Sequence, residues 1–171
     1  MNSESTIILG IDPGYDRMGV AVIEKLLKGK ELVIYSECFQ TSSVDTIYDR
    51  MFSIGQKIRS IIAKHKPVAL AIETLFITKN QKTAMRVSEV RGIIIYEALI
   101  ANIPVFEYSP MQVKMSITGD GTSDKSRIQK MVKLLVSLPK KDAIDDEYDA
   151  IAVALTHSAI FKTTHTNKHL N

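Results

Sequence analysis

The 171 residues contain one cysteine, Cys38, so a disulfide framework is excluded and a reducing compartment suits the chain. Long apolar runs are missing too: Glu, Lys, Gly or Pro interrupts each within a few residues, which argues against a membrane span. No basic stretch precedes the first apolar run, so the N-terminal residues do not read as a secretory signal. The expectation is a cytoplasmic protein with no membrane contact. Internal repeats and low-complexity segments are absent. Histidine and cysteine do not cluster, since His65, His157, His165 and His169 are scattered, and no zinc-type ligand set is expected. His157 reads as a packed or surface residue rather than a ligand.

What is present is a globular composition, 45% hydrophobic and 24% charged, with a formal net charge of only +3. Length and composition together fit one domain over residues 1–161, followed by a polar tail at 162–171. The charge is unevenly placed. From Lys114 to Lys141 seven basic residues face two acids, whereas Asp142 to Asp149 holds five acids and no base. Taken alone, this contrast is what two solvated helix faces would give; it is also the charge pattern of a metal-dependent nuclease.

The apolar pattern predicts the elements. Ile7–Ile11 is a continuous apolar strand closed by Asp12-Pro13-Gly14, and Met18–Ile23 and Leu32–Phe39 complete an antiparallel meander. Ile47, Met51, Ile54, Ile58 and Ile61 recur at helical spacing, ahead of Pro67. Val68–Ile72 is a second buried strand, ending at Glu73. A long helix from about Lys79 to Ala101, a strand Pro104–Tyr108, a loop holding Gly119 and Gly121, a helix from about Ser123 to Val136 and a last helix from about Asp146 to Phe161 follow. In the Ser123–Val136 helix, Ile128, Met131, Val132 and Leu135 are expected on the inner face. The fold class is therefore α/β: a five-stranded mixed sheet, meander first and parallel strands after, flanked by helices.

Two strands expected to be buried end in acids, Asp12 and Glu73. Each alone is equally well read as a residue that has reached the solvated rim of the sheet. As parallel neighbours, their C-terminal ends would lie about 4.8 Å apart, where two carboxylates repel unless a cation stands between them. Asp146 and Asp149, spaced i, i+3 in the first turn of the last helix, share a face and add two more oxygen donors. Helix capping accounts for Asp146 but less well for a second acid beside it. Glu147 is expected to point elsewhere. Four carboxylates suit Mg²⁺ or Mn²⁺ rather than zinc.

Several stretches occur in a diagnostic order: Leu9-Gly10-Ile11-Asp12-Pro13-Gly14; Ala71-Ile72-Glu73 with Phe76, Lys79 and Asn80; Arg91-Gly92; Val105-Phe106-Glu107-Tyr108; Gln112-Val113-Lys114; Gly119-x-Gly121-x-x-x-Lys125; and Asp146-x-x-Asp149-Ala150 running into Ala154-Leu155-Thr156-His157. On these, the chain from about Ile7 to His157 resembles the RuvC-type crossover junction endodeoxyribonucleases. A Gly-Ile-Asp-x-Gly opening also begins actin-like kinases, but those need two lobes and this length holds one.

The resemblance implies a ribonuclease H-like fold and a homodimer that resolves Holliday junctions in recombination and repair. Paired nicks in four-way junction DNA would leave 5′-phosphate and 3′-hydroxyl ends. It implies two Mg²⁺ per active site, with Mn²⁺ as substitute, held by Asp12, Glu73, Asp146 and Asp149 as catalytic carboxylates. It further implies a junction contact at Phe76, DNA contacts at Lys114 and Lys125, and a branch-migration complex of the RuvA and RuvB type as partner. Lys79, Lys82 and Arg86, at i, i+3, i+7, form a helix face that could follow a DNA backbone or be plain solvated surface. Val87, Val90, Ile94 and Ile95 on the same helix suggest apolar area for a dimer.

Overall fold

The computed structural model describes residues 6–26, 28–75, 81–138 and 144–160. Strands β1 (Thr6–Asp12), β2 (Arg17–Lys25) and β3 (Glu31–Gln40) form the meander, followed by α1 (Ile47–His65), β4 (Ala69–Glu73), α2 (Gln81–Ile100) and β5 (Val105–Tyr108). Then come α3 (Pro110–Thr118), α4 (Lys125–Leu135), β6 (Val136–Ser137) and α5 (Asp145–Ile160). The sheet order is β5-β4-β1-β2-β3-β6. β1 runs antiparallel to β2 and parallel to β4, with Ile11 opposite Ile72, so Asp12 and Glu73 end adjacent parallel strands as expected.

Three features differ from the sequence expectation. The sheet has six strands rather than five, because two residues after α4 pair with the start of β3, Glu31 opposite Val136 and Leu32 opposite Ser137. A helix, α3, precedes the Gly119 loop; Ser109 accepts from the Gln112 backbone while the Gln112 side chain accepts from Ser109 N–H, and Pro110 sits in the first turn. Leu135, expected inside α4, is 38% exposed, since only Ile128 and Val132 of that helix are buried. The helix bounds otherwise shift little: α4 begins at Lys125 because Asp124 is its cap, accepting from Arg127 N at 2.8 Å. Phe76, Lys79, the start of the long helix and the tail lie outside the described residues.

Side chains alternate across the sheet and fill two cores. On one face Leu9, Ile11, Val20, Val22, Leu70 and Ile72 pack against Ile54, Ile58, Val90 and Ile94 of α1 and α2. On the other face the central sheet positions are small, namely Gly10, Gly19, Ala21 and Ala71, and α5 lies on them with Ala150, Ala152 and Ala154. A Cβ at Gly10 would stand 2.4 Å from the Ala150 carbonyl oxygen, and one at Gly19 would stand 2.0 Å from that of Asp146. No side chain fits between helix and strand there.

Candidate active site

Alternation decides which groups meet α5. Asp12 follows Gly10 by two and Glu73 follows Ala71 by two, so both carboxylates project from the α5 face at the C-terminal ends of their strands. Arg17 shares that face with Gly19, and Cys38 is the β3 partner opposite Gly19. The bare contact at Gly19 then brings the first turn of α5 down onto the ends of β1 and β2. As a result one oxygen from each of Asp12, Asp146 and Asp149 falls within 4.8 Å of the others. Glu73 is not part of that trio, but it lines one cavity of about 290 Å³ with Asp12 and Asp149. Lys114 of α3 and Lys125 of α4 line the same cavity, with Val113, Ile128 and Ala152 as its apolar wall.

The electrostatics divide the four acids. Burial, reinforced by Glu73, Asp149 and Asp146, pushes the Asp12 carboxyl up to about 7. Burial and Asp149 push Glu73 up to about 7 as well, against the pull of Lys114 and Arg91. Asp149 is raised by burial in spite of the Lys125 ammonium, which stands 3.0 Å from its Oδ2. Asp146 goes the other way: burial would raise it, but Cys38 and Arg17 together hold it below its ordinary value. Arg17 Nε donates to Asp146 Oδ2 at 2.7 Å, its Nη2 donates to the same oxygen, and Cys38 Sγ lies 3.2 Å from it.

Crowded, partly buried carboxylates with raised proton affinity are the expected state of a hard-cation site in metal-free protein. The donors are all oxygen, and their spacing is short enough for one ion to be shared. The residues therefore fit a divalent metal.

Two arginines brace the acids: Arg91, part of a stretch that carries the resemblance but with no role read from it, and Arg50, which gave no sequence signal. Arg91 of α2 donates to the Glu73 carbonyl and pairs with Glu107 at 3.2 Å, tying the end of β4 to β5 and α2. Arg50 of α1 is buried and donates to the Tyr15 carbonyl at 3.1 Å, to Thr41 Oγ1 at 2.8 Å and to Asp16. That clamp fixes the turn between Asp12 and Arg17. Glu147 does point away, accepting from Ser36 Oγ at 2.5 Å. His157 is buried with its Nδ1 2.7 Å from the Tyr108 hydroxyl, which makes it a packed residue.

Among the basic residues, Lys114 and Lys125 converge on the acids, whereas Lys82 and Arg86 stand apart on α2. Lys82 is exposed, and Arg86 pairs with Glu89 at 2.9 Å. The glycine loop before Lys125 serves as helix punctuation: Gly119 adopts a left-handed φ of 74° and its N–H closes α3 onto the Met115 carbonyl. No helix among the described residues is long and apolar enough to cross a membrane.

Comparison with known proteins places this arrangement. A family model described as crossover junction endodeoxyribonuclease RuvC matches residues 8–157. The crossover junction endodeoxyribonuclease RuvC of Petrotoga mobilis is 41% identical over 151 residues, covering 88% of this chain and 92% of that protein. The Caldicellulosiruptor saccharolyticus protein of the same description is 43% identical over 150 residues, covering 88% and 90%. The solved structure of T. thermophilus RuvC in complex with Holliday junction substrate superposes with a TM-score of 0.83 at 30% identity, covering 90% of this chain and 93% of that one. The ribonuclease H-like fold read from the sequence is thus the fold observed, with one strand more.

Proposed function

The chain belongs to the RuvC family of crossover junction endodeoxyribonucleases, and from that premise we propose that it resolves Holliday junctions in recombination and DNA repair by paired phosphodiester hydrolysis. The observation that carries the site assignment is the convergence of Asp12, Glu73 and Asp149 on one cavity flanked by Lys114 and Lys125. Asp146 closes the same acidic cluster from outside the cavity.

In this reading Asp12, Glu73, Asp146 and Asp149 hold two Mg²⁺ ions, with Mn²⁺ as substitute. When bound there, such ions would supply Lewis-acid activation of water and charge neutralisation at the phosphate. The chain's own groups do the rest. Lys125, first residue of α4, and Lys114 bind and orient the scissile phosphate. The ammonium of Lys125 exchanges its carboxylate partner for phosphate oxygens as DNA enters. The Val113, Ile128 and Ala152 wall excludes bulk water from one side of the cavity. The products carry 5′-phosphate and 3′-hydroxyl ends. Lys82 and Arg86 extend the DNA contact along α2, and Phe76 and Lys79, outside the described residues, are assigned further contacts; lysine and arginine supply salt-dependent affinity.

Two symmetric cuts require two sites, which a C₂ dimer provides. Of the α2 residues read as apolar area for it, Val90 and Ile94 are fully buried and Val87 and Ile95 half-buried. The apolar groove between α1 and α2 is the better seat for a second copy. Phe52, Ile93 and Tyr96 line it, and Tyr48, Leu99 and Ile100 are exposed on the same two helices. The protein would act in the cytoplasm as one nuclease domain over residues 1–161, alongside a branch-migration complex of the RuvA and RuvB type.

The test is cleavage of a synthetic four-way DNA junction in Mg²⁺, beside a linear duplex and Asp12→Asn. Paired nicks in the junction alone, lost in the variant with junction binding retained, are expected. Equal cutting of linear duplex, or cutting by Asp12→Asn, would overturn the assignment.

A further inference from the structure

The four acids of the cluster do not have equivalent counter-charges. Asp149 is paired from inside the cavity by Lys125, while Asp146 is paired by Arg17, a residue outside the cavity lining. The two pairs also differ in geometry. Arg17 does not fork across the carboxylate: both Nε and Nη2 donate to Oδ2, the oxygen that Cys38 also approaches. A grip on one oxygen lacks the second parallel bond that makes arginine–carboxylate pairs strong. The Arg17 side chain is 51% exposed and that of Asp146 is 22% exposed, so the guanidinium reaches in from the solvent side. An ion pair this open is weak and readily exchanged.

The Asp146 backbone, in contrast, sits directly on β2, where a Cβ at Gly19 would stand 2.0 Å from its carbonyl oxygen. What can change at Asp146 is its partner. We propose that Arg17 is a provisional counter-charge for Asp146, given up to a DNA phosphate when Asp146 takes a cation as ligand, so that metal binding and junction binding strengthen each other. This rests on Asp146 being a metal ligand in a DNA-cleaving site.

Two consequences separate this role from simple orientation of Asp146. First, without DNA, Arg17 competes with the cation, and its removal tightens metal binding. An orienting residue would do the reverse. Second, Arg17 contributes a phosphate contact only when metal is present. By thermodynamic reciprocity both effects measure one coupling.

The experiment uses wild type, Arg17→Ala, Arg17→Lys and Asp146→Asn, each checked for an unchanged circular dichroism spectrum. Mn²⁺ binding without DNA is read by electron paramagnetic resonance. Arg17→Ala should bind Mn²⁺ about two- to fivefold more tightly, the size expected when an exposed ion pair no longer competes. Arg17→Lys should restore most of the wild-type value, because the charge is kept. Junction affinity is then measured against salt in EDTA and in Ca²⁺. In EDTA the wild type and Arg17→Ala should share one slope. In Ca²⁺ the wild-type slope should exceed that of the variant by about 0.9, the signature of one added phosphate contact. Unchanged or weaker Mn²⁺ binding in Arg17→Ala, or equal slopes in Ca²⁺, would overturn the proposal while leaving the active-site assignment standing. Mn²⁺ binding that is unaffected by Asp146→Asn would instead sink the ligand assignment and the proposal with it.

Discussion

The two faces of one sheet solve opposite problems. Against α1 and α2 the strands present Leu9, Ile11, Val20, Val22, Leu70 and Ile72, large side chains that hold the helices at an ordinary distance. Against α5 the same strands present glycine and alanine, and helix backbone meets strand backbone. The first face is built to exclude water. The second gives up side-chain volume for proximity, and what it brings close is a set of mutually repelling carboxylates. A sheet can thus be packed on both sides and carry its charges at the end of one.

The sharpest way to break this contrast is to add one carbon to the close face. Gly19→Ala places a Cβ 2.0 Å from the Asp146 carbonyl oxygen, so the first turn of α5 must lift. Junction cleavage should fall at least 100-fold by the arithmetic of a misplaced catalytic group. A melting curve should show destabilisation of about 1–3 kcal/mol from overpacking. On the other face, Ile94→Ala removes a fully buried side chain. It should lower stability by about 2–5 kcal/mol. Cleavage per folded molecule, assayed well below the melting temperature, should stay near wild type. If Ile94→Ala abolished cleavage in folded protein, the two faces would not be separable.

Asp12→Asn sharpens the contrast by sign. The Asp12 and Glu73 carboxyls are held near 7 by burial and neighbouring carboxylates, Asp149 acting on both, well above their ordinary values. Between the unfolded and folded values the native state binds the extra protons, so metal-free stability should fall as pH rises from about 4 to about 7 and level off beyond. Asp12→Asn should flatten part of that slope and raise the melting temperature above pH 7 in EDTA, even as it ends cleavage. Denaturation midpoints across pH, without metal, measure it. For the same reason Mn²⁺ binding at pH 6 should release protons, and calorimetry in buffers of different ionisation enthalpy would count them. The smallest effect is expected at the exposed Arg86–Glu89 pair. Arg86→Ala should change stability by less than about 1 kcal/mol and lower only the salt slope of junction binding.

Much of this was legible in the residues. Continuous apolar runs closed by Asp12 and Glu73 located two central strands, and the i, i+3 spacing of Asp146 and Asp149 put both on one helix face. The five-strand count missed β6 because two residues carry no period. Helix α3 was missed although Ser109, Pro110 and Gln112 spell its start; Gln112-Val113-Lys114 entered only as a stretch carrying the resemblance and the cap went unused. Arg17 and Arg50 could not be picked out, and Cys38 and Arg91 were named without these roles, since the roles come from strand pairing and from helices distant in sequence. Gly10 and Gly19 looked like ordinary strand residues until α5 was seen resting on them. Val90 and Ile94, read as spare apolar area on the long helix, are fully buried, because apolar composition does not reveal which face the sheet will cover.

The bare contact at Gly10 and Gly19 has a use outside this protein. Of the twenty amino acids, one fits at each position without moving the helix that carries half of the acids. A related sequence that keeps every carboxylate but has a side chain at either place has the vocabulary of the enzyme without its grammar. Such a gene could be set aside as a non-cleaving relative before any assay was run.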